Sequence, residues 1–281
     1  MKSEKTTILF VDDDPALLAA LRRLLHRFHK QWNMEFFQRS TDAVTCLENC
    51  TADVIVSDIR MPDMDGIELM QLVAERFPGV VRFILSGQAE VEKVIPLTGV
   101  VHQYFSKPCN PSRLFDAISL IVDKQNLFTN RNQIQYLNGL AYFPVDSEKH
   151  CRLKQELNSN ADMSQIVKIV QSDVGLSLKI CQLASSSFFG KPQQECCIET
   201  VCRMFGVDLL GAILAGVETT SPTDPTLDSD ILEIIRQPQR QTDLKSTSAD
   251  RVYEYLLALW GISRSGNETR APLPEFRQEC M

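Results

Sequence analysis

The chain has 281 residues, 44% of them hydrophobic and 23% charged. That is enough for two domains at roughly 100–200 residues each, and too apolar for a disordered or collagen-like polymer. Twenty-nine basic residues against 36 acidic ones leave a net charge of −7, which argues against the basic footprint of a nucleic-acid binder.

No apolar stretch approaches the ~20 residues that cross a bilayer. The first apolar run, Ile8 to Val11, stops at three aspartates and is not read as a signal peptide; the expectation is a cytoplasmic protein. The run itself is strand-like, and Asp14-Pro15 then opens a helix as N-cap and first helical residue. Leu17, Leu18, Leu21, Leu24, Leu25 and Phe28 follow at helical spacing. Met34 to Phe37 predicts a second strand, Ser40 caps a helix through Leu47, and Asp53 to Val56 is a third strand. Gly66 to Phe77 is helical, Val80 to Leu85 a fourth strand, and Gln103 to Ser106 a short fifth. Asn110-Pro111 opens a helix with Leu114, Ile118, Ile121 and Val122 on one face. Between the last two strands, Pro96 disfavours a regular helix over Glu90 to His102. Alternation of this kind predicts a parallel sheet covered by helices on both faces.

From Lys124 to Asn138 the chain turns polar, as in a linker or linking helix over 124–136. Beyond it the pattern is all helical. Asp162 with Gln165 resembles a capping box opening a helix to Gln171. Val174 to Ala184 reads as an amphipathic helix ended by Phe188-Phe189-Gly190. Ile198 to Phe205 is a helix closed by Gly206, and Val207 to Val217 another. Thr219 to Asp230 and Arg236 to Ser248 read as polar loop, Arg251 to Ile262 as a last amphipathic helix, and 266–281 as a tail. Nine cysteines, an odd number with no CxxC among them, fit reduced thiols better than a disulfide framework.

The chemistry collects at strand ends, where open parallel sheets place their ligands. The first strand ends in Asp12-Asp13, the third in Ser57-Asp58, the fourth in Ser86-Gly87, and the fifth is followed by Lys107-Pro108. Three carboxylates on one rim repel one another. A hard dication such as Mg²⁺ relieves this with oxygen ligands. One carboxylate then attacks a phosphoryl group while metal, lysine and hydroxyl steady its oxygens.

Phe10 to Pro15 (FVDDDP), Val56 to Gly66 (VSDIRMPDMDG), Ile84 to Gly87 (ILSG) and Tyr104 to Pro108 (YFSKP) together resemble the receiver domain of two-component response regulators over 1–123. The resemblance implies a doubly wound five-stranded parallel sheet of order 2-1-3-4-5, an order for which a receiver is a standing example. It implies phosphorylation at Asp58, and Mg²⁺ held by Asp13, by Asp58, by the Arg60 backbone carbonyl and by Asp12 mainly through water. It also implies Ser86 and Lys107 on the phosphoryl group, and Tyr104 as a rotating switch.

Leu137 to Val145, Ala161 to Gly190, Cys197 to Val217 and Tyr253 to Ile262 resemble, over 137–265, the all-α HDOD domain, a relative of the HD phosphohydrolases. Those enzymes need several histidines and a His-Asp pair on metal. Here the only histidine after residue 123 is His150, followed by Cys151, and it reads as a surface or capping residue. The reading is therefore a response regulator with a non-catalytic helical output module and no turnover enzyme. Its expected partners are a sensor histidine kinase or phosphotransfer protein as donor, an unknown protein on the helical half, and a second copy of the chain in a homodimer, with no nucleic acid and no membrane. The competing readings are a second-messenger phosphohydrolase and a DNA-binding regulator.

Overall fold

The computed structural model describes residues 5–87, 97–108, 110–141, 143–159, 162–186, 197–215, 219–220 and 248–262. They fall into two compact units: the first runs to Ala141 and takes in Ser186, and the second holds the rest.

In the first unit β1 (Thr6–Val11), β2 (Trp32–Phe37), β3 (Val54–Asp58), β4 (Val81–Ser86) and β5 (Gln103–Ser106) form a parallel sheet of order β2-β1-β3-β4-β5, the expected fold. β3 and β4 are buried along their whole length, which is why, Arg82 apart, they read as near-continuous apolar runs rather than alternating ones. The helices are α1 (Pro15–Leu25), α2 (Ser40–Asn49), α3 (Gly66–Arg76), α4 (Pro111–Gln125) and α5 (Arg131–Gly139). Asp14 caps α1 through the Ala16 amide, and Asn110 caps α4 through Ser112. Ser40 does not cap α2. Arg39 holds that position without a side-chain capping bond, and the buried Ser40 hydroxyl instead donates to Met64 O at 2.8 Å. The stretch around Pro96, residues 88–96, lies outside the described residues, as do Phe188-Phe189-Gly190, the loop beyond Thr220 and the tail.

The polar segment read over 124–136 as a linker or linking helix is largely helical. Residue 123 falls inside α4, and α5 belongs to the first unit. Arg82 on β4, only 1% exposed, donates to the carbonyls of Val100 (2.7 Å), Val80 (2.8 Å), Pro78 (3.3 Å) and Asn138 (3.4 Å). Asn138 in turn donates to Gly79 O at 2.8 Å. A guanidinium lifted out of water by neighbouring strands must find carbonyls, and one of them is supplied by α5.

The second unit holds α6 (Ser147–Asn158), α7 (Met163–Gln171), α8 (Val174–Ser185), α9 (Ile198–Ala215) and α10 (Ser248–Leu259). Gly206, at φ +70°, breaks α9 into the two helices the sequence predicts. Three expectations are corrected. Thr219, read as loop, lies in β7 (Thr219–Thr220), which pairs in parallel with β6 (Val145–Asp146) in this otherwise helical unit. α8 is not amphipathic: Val174 to Ala184 are all buried, because it is the central helix. It lies so close to the 143–144 segment that a Cβ on Gly175 would meet Pro144 O at 2.5 Å. His150 is not on the surface but buried on α6. Asp162 does cap α7, through the Ser164 amide. Trp260 anchors this core, edge-on to Phe143 at 6.4 Å. No helix among the described residues is long and apolar enough to cross a membrane.

Candidate functional site

Parallel pairing aligns the carboxyl ends of β1, β3, β4 and β5, so the residues that follow each strand meet on one rim. Val11 registers with Ser57, Asp58 with Leu85, and Ser86 with Ser106. Asp12 and Asp13 therefore emerge beside Asp58, and Lys107 follows β5, two strands further on. Carboxylate oxygens of Asp12, Asp13 and Asp58 all lie within 4.8 Å of one another. Asp12 and Asp58 are buried, and Asp13 faces solvent. Lys107 Nζ lies 2.7 Å from Asp12 Oδ2 and 2.7 Å from Asp58 Oδ1.

The loop after Asp58 is built to hold that position. Ser57 Oγ donates to Asp58 O at 2.8 Å, and the Gly66 amide donates to Ile59 O at 2.8 Å. Asp65 caps α3 through the amides of Ile67 and Glu68, while Glu68 answers on the Asp65 amide, a full capping box. Asp63 takes φ +69°, a conformation that Asp tolerates better than most residues. Ser40 clamps Met64 O from α2. At Gly66 the backbones touch: a Cβ there would lie 1.9 Å from Asp58 O.

Burial pushes the Asp58 carboxyl above its ordinary value. The Lys107 hydrogen bond and charge pull it back, Asp12 adds repulsion, and the Ile59 amide lowers it again. For Lys107, burial works against the ammonium, but the bonds and charges of Asp12 and Asp58 outweigh it and hold the amine above its usual range. The cluster is thus a desolvated carboxylate whose burial one lysine partly offsets, with two further carboxylates beside it. An all-oxygen donor set of this charge fits a hard dication such as Mg²⁺.

The other expected residues stand around this centre. Ser86 closes β4, fully buried, with its hydroxyl 3.3 Å from Gly87 O. Arg60 is exposed two residues past Asp58. Tyr104 is buried on β5 and donates to Leu97 O at 2.8 Å; burial pushes its phenol far up, against the nearby Arg82 charge. Three site-building residues escaped the sequence reading in these roles. They are Ser40, whose clamp is tertiary, Gly66, which read only as a helix start, and Arg82, a charge inside an apolar run. The charge at Arg82 between Val81 and Phe83, which interrupts the apolar run, was the one local signal for the last.

Residues 8–119 match the response regulator receiver domain. The transcriptional regulatory protein HoxA of Cupriavidus necator, named for hydrogenase, is 33% identical over 189 residues, covering 66% of this chain and 37% of that protein. The DNA-binding transcriptional regulator NtrC of Proteus hauseri is 29% identical over 92 residues, covering 33% of this chain and 19% of that protein. The chain thus spans well under half the length of either relative. Among solved structures, the signal receiver domain of an HD domain-containing protein from Pseudomonas fluorescens aligns at 24% identity and a TM-score of 0.42, covering 44% of this chain and 100% of that one.

Proposed function

We propose that this chain, whose first unit is the receiver domain of a response regulator in a two-component system, is switched by Mg²⁺-dependent phosphorylation of Asp58 and acts through its helical unit. The observation that carries the reading is Lys107 Nζ at 2.7 Å from both Asp12 and Asp58, inside a three-carboxylate cluster. An Asp58 oxygen attacks the phosphorus of a histidine kinase's or phosphotransfer protein's phosphoryl group, and the donor leaves with the electrons of the broken bond. Asp13, Asp58 and the Arg60 carbonyl would hold Mg²⁺, with Asp12 alongside them. The metal supplies charge neutralisation for the phosphoryl oxygens. Lys107 moves from the carboxylates to the phosphoryl oxygens, and Ser86 donates to another. Tyr104 reads the change from β5.

The helical unit, HDOD-like, is assigned a protein-interaction role without turnover; its buried His150 has no neighbouring aspartate in sequence with which to build an HD-type metal pair. The HoxA match extends beyond the stretch of the receiver family, and the names of the relatives favour a second reading in which the output reaches DNA, against the acidic balance of the chain.

Acetyl phosphate tests the first step, with labelling followed on a phosphate-affinity gel. Label is expected on the wild type with Mg²⁺, and none with chelator or in Asp58→Asn. A beryllofluoride-loaded sample then enters two assays, protein capture and DNA mobility shift at low salt. A mimic-dependent protein partner supports the first reading, and a mimic-dependent shift the second. Labelling that persists in Asp58→Asn removes both.

A further inference from the structure

Cys46, in the last turn of α2, and Cys50, its C-cap, have Sγ atoms 3.1 Å apart. Cys50 is exposed and Cys46 half-buried. Neither belongs to the acidic rim, and the phosphoryl chemistry uses neither.

Two residues four apart inside a regular helix keep their Cβ atoms about 5–6 Å apart, whereas a disulfide needs roughly 3.5–4.5 Å. A pair within a rigid helix is therefore a poor candidate. This pair escapes the limit because Cys50 has already left the helix: its backbone is extended at φ −137°, ψ 158°, while its amide still bonds Cys46 O at 2.8 Å. The turn that carries Cys46 is held from two sides. Glu48 pairs with Arg76 of α3 at 2.6 Å, and Asn49 donates to Thr45 O at 2.7 Å. One sulfur is anchored, and the other sits on a residue whose torsions adjust without breaking helical bonds.

We propose that Cys46 and Cys50 form a reversible dithiol–disulfide pair oxidised by a hydroperoxide. Cys50, the accessible thiol, reacts first. Its sulfur, as thiolate, attacks the terminal peroxide oxygen, the O–O bond breaks, and the released alkoxide or hydroxide takes up the thiol proton. Cys46 sulfur then attacks the Cys50 sulfenic acid, the S–O bond breaks, and the hydroxyl leaves as water with the Cys46 proton. Two thiols are oxidised to one disulfide, and one hydroperoxide is reduced to an alcohol (or water) plus water. The order fits the surroundings: burial, then the Cys50 hydrogen bond, then the charges of Cys50 and Glu35, push the Cys46 thiol up to about 12, so Cys46 resolves rather than initiates. A soft-metal site is the poorer use, because the one group of three or more potential metal-ligating side chains among the described residues is the aspartate cluster.

The test uses the full chain. Trypsin releases Ser40–Arg60 as one peptide, with Cys46 and Cys50 its only cysteines. The protein is treated with hydrogen peroxide, freed of excess oxidant, alkylated, digested and weighed without reduction. The expected wild-type peptide is unalkylated and two hydrogens lighter, and reduction restores its double alkylation. Cys46→Ser is expected to accumulate a dimedone-reactive sulfenic acid at Cys50, and Cys50→Ser to leave Cys46 alkylated at the same dose. A wild-type peptide that stays doubly alkylated, or a Cys50 joined to any cysteine other than Cys46, overturns the proposal. Because Asp58 lies on the same peptide, phosphorylation of that residue is read separately, and its failure leaves this result intact.

Discussion

In Gly66→Ala, labelling of Asp58 by a phosphodonor is expected to fall by roughly 100-fold, the cost of about 1 Å of misplacement at a reacting group. The first unit is expected to lose on the order of 3 kcal/mol of stability or more. The added Cβ would meet Asp58 O at 1.9 Å, Ile59 Cα at 2.8 Å and Asp58 C at 2.9 Å. All three are backbone atoms, so no rotamer relieves the contact. Either the α3 N-terminus retreats, breaking the Gly66 amide bond to Ile59 O, or the Asp58 peptide shifts and carries its carboxylate off Lys107. Gly79→Ala is the control: its Cβ would meet the Gln135 side chain at 3.1 Å, and a flexible side chain can yield. Urea unfolding and acetyl phosphate labelling of the two variants side by side check this. A Gly66→Ala protein as stable and as readily labelled as Gly79→Ala contradicts the close approach.

The second large effect lies in the helical unit. Lys179 is fully buried on α8, its Nζ 2.8 Å from Gln182 Oε1, and burial pulls its amine from 10.5 down to about 7. Between those values the unfolded chain binds a proton that the folded chain does not hold. Stability therefore rises with pH across the window, by at most about 1.4 kcal/mol per pH unit, and it is lost again as pH falls towards 7. Lys179→Met removes this dependence. The wild type is expected to gain on Lys179→Met by several kcal/mol between pH 7 and pH 10, whatever the fixed offset from leaving Gln182 with a different neighbour. Trp260 fluorescence in a Trp32→Phe background follows the helical unit alone. A wild-type-minus-variant difference that is flat with pH would sink the idea.

The acidic rim was legible because every one of its residues directly follows its own apolar run. Strand ends are local facts, and parallel pairing brings them together. Asp12, Asp13, Asp58 and Lys107 thus group from the sequence alone. What escaped depended on contacts distant in sequence. Ser40 has the composition of a cap, yet Met64 O, 24 residues on, claims its hydroxyl. Arg82 reaches Asn138 across 56 residues, and that bond helps turn a polar stretch that looks like a linker into a docked helix. α8 carries Ser177, Lys179 and Gln182, which mimic a solvent face; tertiary packing buries all three. A two-residue strand such as β7 has too few residues to show a period at all. The Cys46–Cys50 approach depends on how α2 ends, where helix boundaries are hardest to place.

The most direct measurement is on the aspartyl phosphate itself. The full chain is incubated with acetyl phosphate and Mg²⁺, reduced with borohydride, digested, and sequenced by mass spectrometry. An acyl phosphate is reduced to the alcohol, so homoserine should stand at position 58 and nowhere else, only with Mg²⁺ and donor present, and with a yield that drops sharply in Lys107→Ala. Homoserine at another aspartate, or its absence from position 58 in a folded, Mg²⁺-replete sample, would contradict phosphorylation of Asp58 as the switch.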